Sequence, residues 1–151
     1  MRKFATTILV CSTLLLSACV TAPVLLKQTS SGFPEGEFQN TDLDNAKTKI
    51  MEGCNNYQLS IIDTGSNHVT CGKDMAGSDA FLANMIIGGR GATNPQQRVK
   101  FTVFKVGNNT KVTARQWIES QSAFGQTRQH DLNDAKKRND IQGFLTSIGA
   151  P

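Results

Sequence analysis

The chain has 151 residues, with 16 Lys and Arg against 12 Asp and Glu, a formal net charge of +4. Hydrophobic residues make up 38% and charged residues 19%, which excludes a disordered or collagen-like chain and predicts one domain with a modest core. No apolar run reaches the roughly eighteen residues of a membrane span, so no membrane-crossing helix is expected.

The chain opens on Met1-Arg2-Lys3, and Phe4 to Leu16 is mostly apolar, interrupted by Thr6, Thr7, Ser12 and Thr13. A basic start, a short apolar core and small residues before a cut predict an export signal. Leu16-Ser17-Ala18-Cys19 resembles the lipobox of bacterial lipoprotein precursors at all four positions. The resemblance implies that residues 1–18 are a signal peptide cut before Cys19. It also implies that Cys19 carries a diacylglycerol on its thiol and an acyl group on its new amine. Each buried CH₂ contributes about 0.8 kcal/mol, so several acyl chains make a stable anchor. Enterobacterial members of this class are kept in the inner membrane by an Asp after the cysteine. Val20 stands there, which implies the outer membrane, with the domain facing the periplasm.

Arg2 and Lys3 leave with the signal, so the mature chain carries +2. That charge is uneven: residues 19–97 sum to −3 and residues 98–151 to +5. Such asymmetry can mark an interaction surface. Cys11 leaves with the signal and Cys19 takes lipid, so Cys54 and Cys71 remain. In an oxidising compartment the two are expected to pair. The alternatives are a reactive Cys71 thiol beside His68, or a His68-x-x-Cys71 metal site, which lacks a second ligand pair.

Residues 19–40 read as the lipidated cysteine and a flexible tether, rich in Pro, Gly, Ser and Thr, with a reach of about 25 Å. Residues 41–151 read as the single domain. The first helix is predicted over Asp42 to Glu52, with Thr41 and Asp44 as a capping pair and Gly53 as the stop. Tyr57 to Asp63 and His68 to Gly72 read as a hairpin around Thr64-Gly65-Ser66, with Leu59 and Ile61 on the face of Val69 and Cys71. Ser78 could cap a short helix through Ile87, which Gly88-Gly89-Arg90-Gly91 would break. These glycines lack the Lys-Ser/Thr of a phosphate-binding loop.

Arg98 to Val106 and Asn109 to Ile118 form the clearest hairpin. Gly107-Asn108 fits a two-residue type II′ turn with Gly at the position of positive φ. The turn predicts the register. Val103 should face Val112, Phe101 Ala114 and Val99 Gln116 on the inner side. Phe104 should face Lys111, Thr102 Thr113, Lys100 Arg115 and Arg98 Trp117 on the outer side. Ser120 to His130 reads as a polar loop. A last helix, capped by Asp131, runs from Leu132 to Ile148 and buries Leu132, Ala135, Ile141, Phe144, Leu145 and Ile148.

Two hairpins and two amphipathic helices predict an α+β fold: a small two-layer sandwich of an antiparallel sheet with the N- and C-terminal helices on one face. The other face is then free. It presents Arg98, Lys100, Phe104, Lys111, Arg115 and Trp117, a basic candidate binding face with an aromatic. Lys100 opposite Arg115 sets like charges across a strand pair, a repulsion that a bound anion would relieve. Gly-x-Ser-x-Gly, His-Glu-x-x-His and metal quartets are missing from the sequence, so no catalytic residues, metal or cofactor are expected. Export also removes nucleic acid from the available partners. The expected role is a lipid-anchored, non-catalytic binding or assembly factor of an envelope protein complex. The alternative is a periplasmic inhibitor or glycan-binding lipoprotein acting on cell-wall enzymes, with anionic glycan as the ligand. A cell-wall enzyme carries the least weight.

Overall fold

A computed structural model describes residues 23–87, 95–122 and 124–151. The signal peptide, Cys19 and the Gly88–Gly91 break lie outside them. In chain order the elements are β1 (Glu35–Phe38), α1 (Leu43–Asn56), β2 (Ser60–Thr64), β3 (His68–Asp74), α2 (Gly77–Ile87), β4 (Gln96–Val106), β5 (Asn109–Gln121), β6 (Thr127–Asp131) and α3 (Ala135–Ser147). The strands form one antiparallel sheet in the order β1-β5-β4-β3-β2, and β6 pairs with β5 farther along the edge that β1 occupies. The fold is the α+β arrangement that the pattern predicts, with a larger sheet and a third helix.

The β4–β5 hairpin is the spine. Gly107 has φ of +59°, which glycine adopts without a Cβ penalty. Val106 pairs with Asn109 across the turn. The observed register matches the predicted one at every pair, from Arg98–Trp117 to Phe104–Lys111. Val99, Phe101, Val103, Val112 and Ala114 therefore point to one side, where they are buried with Phe38, Ile50, Val69, Phe144 and Leu145. α1 packs against β2, β3 and β4, and α3 against β1. The Phe144 ring stacks on Phe101 at 5.0 Å and meets the edge of Tyr57 at 5.2 Å. A smaller cluster of Ala83, Ile87 and Ile118, with Met75 and Leu132, lies under α2.

Cys54 and Cys71 are bonded to each other, joining α1 to β3 over a separation of 17 residues. That bond consumes the thiol which the reactive-cysteine and metal-site alternatives both require. His68 also stands three residues from Cys71 on one strand, an odd spacing that puts the two on opposite faces.

Several boundaries differ from those predicted. The tether is shorter than residues 19–40, because Glu35–Phe38 is a strand of the sheet and Phe38 is buried in the core. Residues before it are also docked: Leu26 N donates to Asn139 Oδ1 at 2.8 Å and Asn139 Nδ2 donates to Val24 O at 2.7 Å. Gly53 is not a helix stop. α1 runs on to Asn56, and a Cβ at Gly53 would lie 2.9 Å from Phe144 Cζ and 2.6 Å from Ile148 Cγ2. Gly53 is there to let α3 approach. The caps also shift: Asp42 accepts from Asn45 N, and Asp134 from Lys137 N. The polar stretch Ser120–His130 is not a loop throughout, since it holds the end of β5 and most of β6.

Two stability tests follow from this packing. The Cys54–Cys71 bridge closes a loop worth about 3 kcal/mol in the chain-entropy model. Reductant, or the double change Cys54→Ala with Cys71→Ala, should lower the urea-unfolding free energy by about that amount. At Gly36 a Cβ would sit 2.1 Å from the Ala150 carbonyl oxygen. Overpacking of this kind costs about 1–3 kcal/mol. Gly36→Ala should show that loss in the same titration, whereas Gly143→Ala, with open space around its Cβ position, should not.

Candidate functional site: the uncovered sheet face

The helices leave the other side of the sheet free. Strand alternation brings together the six residues singled out from the sequence, in cross-strand pairs Arg98–Trp117, Lys100–Arg115 and Phe104–Lys111. Phe104 and Arg115 are exposed, and the other four are half-buried. The flanking strands extend this array. β1 sets Glu35 beside Thr113 and Glu37 beside Lys111. β6 sets Asp131 beside Trp117 and Gln129 beside Glu119. β3 adds His68 opposite Thr102 and Thr70 opposite Lys100.

These neighbours correct the expectation of a basic face. Lys111 Nζ lies 2.8 Å from Glu35 Oε2, Arg98 Nε 2.8 Å from Glu119 Oε1, and Arg115 Nη2 2.8 Å from Asp131 Oδ1. His68 Nε2 is 2.8 Å from Asp63 Oδ2. Among the described residues Lys100 has no ion pair, although its charge is felt by Asp63. Asp131, paired with Arg115, offsets the Lys100–Arg115 repulsion from within the protein. The surface is one of alternating charge.

Its centre is built around Glu119, which sequence reasoning did not single out. One carboxylate oxygen accepts from Arg98 Nε at 2.8 Å and the other from Trp117 Nε1 at 2.9 Å. Gln129 Nε2 donates to the same carboxylate at 3.5 Å. The Arg98 guanidinium also donates to Gln96 Oε1. On the other side, the Arg115 guanidinium lies 5.9 Å from the Trp117 ring, within the range of a cation–π attraction. Trp117, the only tryptophan of the chain, is thus held by its indole N–H and flanked by two arginines. The alternation of β5 gave the signal, because Glu119 is two residues from Trp117 and must share its face.

The electrostatics follow from these partners. Burial acts to raise the Glu119 pKa, but hydrogen bonds from Trp117 and Arg98, together with the Arg98 charge, outweigh it and hold the pKa below the ordinary glutamate value. For Glu35 burial likewise acts upward, and hydrogen bonds from Lys111 and Ser31 bring the net shift below it. The hydrogen bond from His68 is the main cause that lowers Asp63. Among the described residues no group of three His, Cys, Asp or Glu side chains converges as a metal site. Comparison with protein-family models, with curated proteins and with solved structures finds no match for this chain.

A carboxylate whose folded pKa is depressed contributes stability above its unfolded pKa, about 4.3 for glutamate, and loses it as pH falls through the folded value. The melting temperature should therefore fall on acidification below that range. Glu119→Gln, which keeps an acceptor for Trp117 but cannot ionise, should be less stable than the native chain at neutral pH. It should also lose less on going to pH 3. Parallel melting curves, with equal losses in both proteins, would remove Glu119 from the acid limb.

Proposed function

We propose that this chain is a lipid-anchored protein of the bacterial envelope, held at the outer membrane, and that it acts by binding a protein partner through the uncovered sheet face as an accessory or assembly factor. The anchor rests on the Leu16-Ser17-Ala18-Cys19 lipobox. The observation that carries the binding reading is Trp117, held by Glu119 between Arg98 and Arg115 on a sheet face that none of the described helices covers. Tryptophan and arginine dominate binding hot spots because they combine large contact area with directed polar groups. The alternating charges favour a protein partner over an anionic glycan. A polyanion would have to compete with Glu35, Glu119 and Asp131 for the cations they already hold.

In-cell photo-crosslinking from Thr113, on the same face, should yield one dominant envelope-protein adduct. Trp117→Ala should weaken its capture about 30-fold, the effect of a hot spot worth roughly 2 kcal/mol. Recovery of a wall-degrading enzyme would favour the inhibitor reading, and undiminished capture by Trp117→Ala would remove the sheet face as the binding site. The intact mass should carry the acyl groups on Cys19, and Cys19→Ser should leave the membrane fraction.

A further inference from the structure

Helix α2 differs from the other two helices in having apolar residues around its whole circumference. Only Ala83 and Ile87 are buried beneath it. Phe81, Leu82, Met85 and Ile86 are between 56% and 70% exposed. Their spacing, i, i+1, i+4 and i+5, makes one continuous stripe on the side away from β5 and β6. Asp79, in the first turn, is the only charged residue of the helix. In the turn between β5 and β6, the strands on which α2 packs, Phe124 is 93% exposed as well. Solvent-exposed apolar side chains in this density mark a contact surface.

The chain's own N-terminal path bears on what could cover it. Val24 and Leu26 are 81% and 72% exposed, while their backbones are hydrogen-bonded to Asn139 in α3. Five peptide steps separate Val24 from Cys19, a reach of at most about 17 Å. From Asn139 the chain runs back through four helical steps and three others to Leu132, which packs in the cluster under α2. That path also spans at most about 17 Å. Val24 and Leu26 are thus joined to α2 by a short path through the N-terminal end of α3, and a lipid five peptide steps before Val24 would leave α2 within reach of a bilayer.

We propose that the exposed stripe of α2 is a membrane-contact surface that lies in the headgroup–acyl boundary of the bilayer carrying Cys19. The proposal rests on the lipid-anchor reading above. An apolar helical face of this kind binds by burying its side chains about 5–10 Å into that boundary. Four such residues alone make a weak membrane ligand. A tether of this length holds the face at high effective concentration beside the bilayer, so weak intrinsic binding suffices.

The test uses the lipidated chain in vesicles of phosphatidylethanolamine and phosphatidylglycerol, with some acyl chains brominated near the headgroup. Phe81→Trp is introduced with Trp117→Phe, so that the single indole reports on α2. Bromolipid should quench its emission at least twofold, and adding Met85→Ser and Ile86→Ser should reverse most of that quenching without moving the melting temperature. The native Trp117, on the opposite side of the sheet, should be unaffected. An unquenched Trp at position 81 in the lipidated protein overturns the proposal. So does quenching that survives the two serine changes. Loss of a dimer on Met85→Ser, with position 81 unquenched, would assign the stripe to a second copy instead. The anchor reading is checked separately by the mass of Cys19. If that residue carries no lipid, the anchor fails, and quenching of the unlipidated chain at raised vesicle concentration would still support the α2 surface.

Discussion

Everything in this structure depends on the register of the β4–β5 hairpin, and the register depends on a two-residue turn. Side chains alternate along a strand with a period of two, so a slip by one residue would exchange the two faces. Val99, Phe101 and Val103 would go to water, and Lys100 and Thr102 would enter the core. Gly107 at positive φ, with Val106 paired to Asn109, fixes the choice. From that choice come both the apolar floor on which α1 and α3 pack and the charged array on the far side.

The array would be unstable if the hairpin were alone. Lys100 and Arg115 repel across it, and Arg98 and Lys111 add to the same sign. The outer strands supply the balance: Glu35 comes from β1 and Asp131 from β6, while Glu119 lies on β5 itself. The acidic N-terminal portion and basic C-terminal portion of the sequence meet here, Glu35 reaching Lys111. The charge asymmetry therefore describes in part how the chain assembles its own sheet. Exposed pairs such as Arg115–Asp131 add little stability, typically below about 1 kcal/mol. What they do is remove a local repulsion and set side-chain positions around Trp117.

Elements that bury a regular apolar face were legible in the sequence, and those that do not were hidden. The β4–β5 hairpin alternates over its full length, and its register was readable to the residue, although β4 starts two residues earlier and β5 ends three later than the pattern predicts. The disulfide was expected from the cysteine count together with the oxidising compartment that the N-terminus suggests. β1 escaped because its inward positions are Gly36 and Phe38, and a glycine leaves no hydrophobic mark. Gly36 is required by the Ala150 carbonyl pressed against it, a contact between distant parts of the chain. β6, Thr-Arg-Gln-His-Asp, is exposed at every residue. It pairs through its backbone at a sheet edge, where no apolar pattern is needed. The six outer-face residues were legible as neighbours. Their neutralisation was not, because two of the carboxylates came from these hidden strands.

The two surfaces proposed as contacts lie on opposite sides of the sheet, and that arrangement has a mechanical consequence. A lipid on Cys19 alone would restrain position but leave the domain free to tumble. A second contact through α2 would fix its orientation. The helices lie on one side of the sheet and Trp117 on the other, so with α2 at the headgroups the Trp117 face would stand away from the bilayer and look into the periplasm. The docking of Val24 and Leu26 on α3 matters for the same reason. With residues from Val24 onward tied to α3, a lipid on Cys19 would be joined to the domain over five peptide steps rather than over the roughly 25 Å of the expected flexible linker, and a short tether transmits orientation where a long one would not. On this reading the lipid, the N-terminal segment and α2 act together as a mount, and the charge-paired sheet face is what the mount presents.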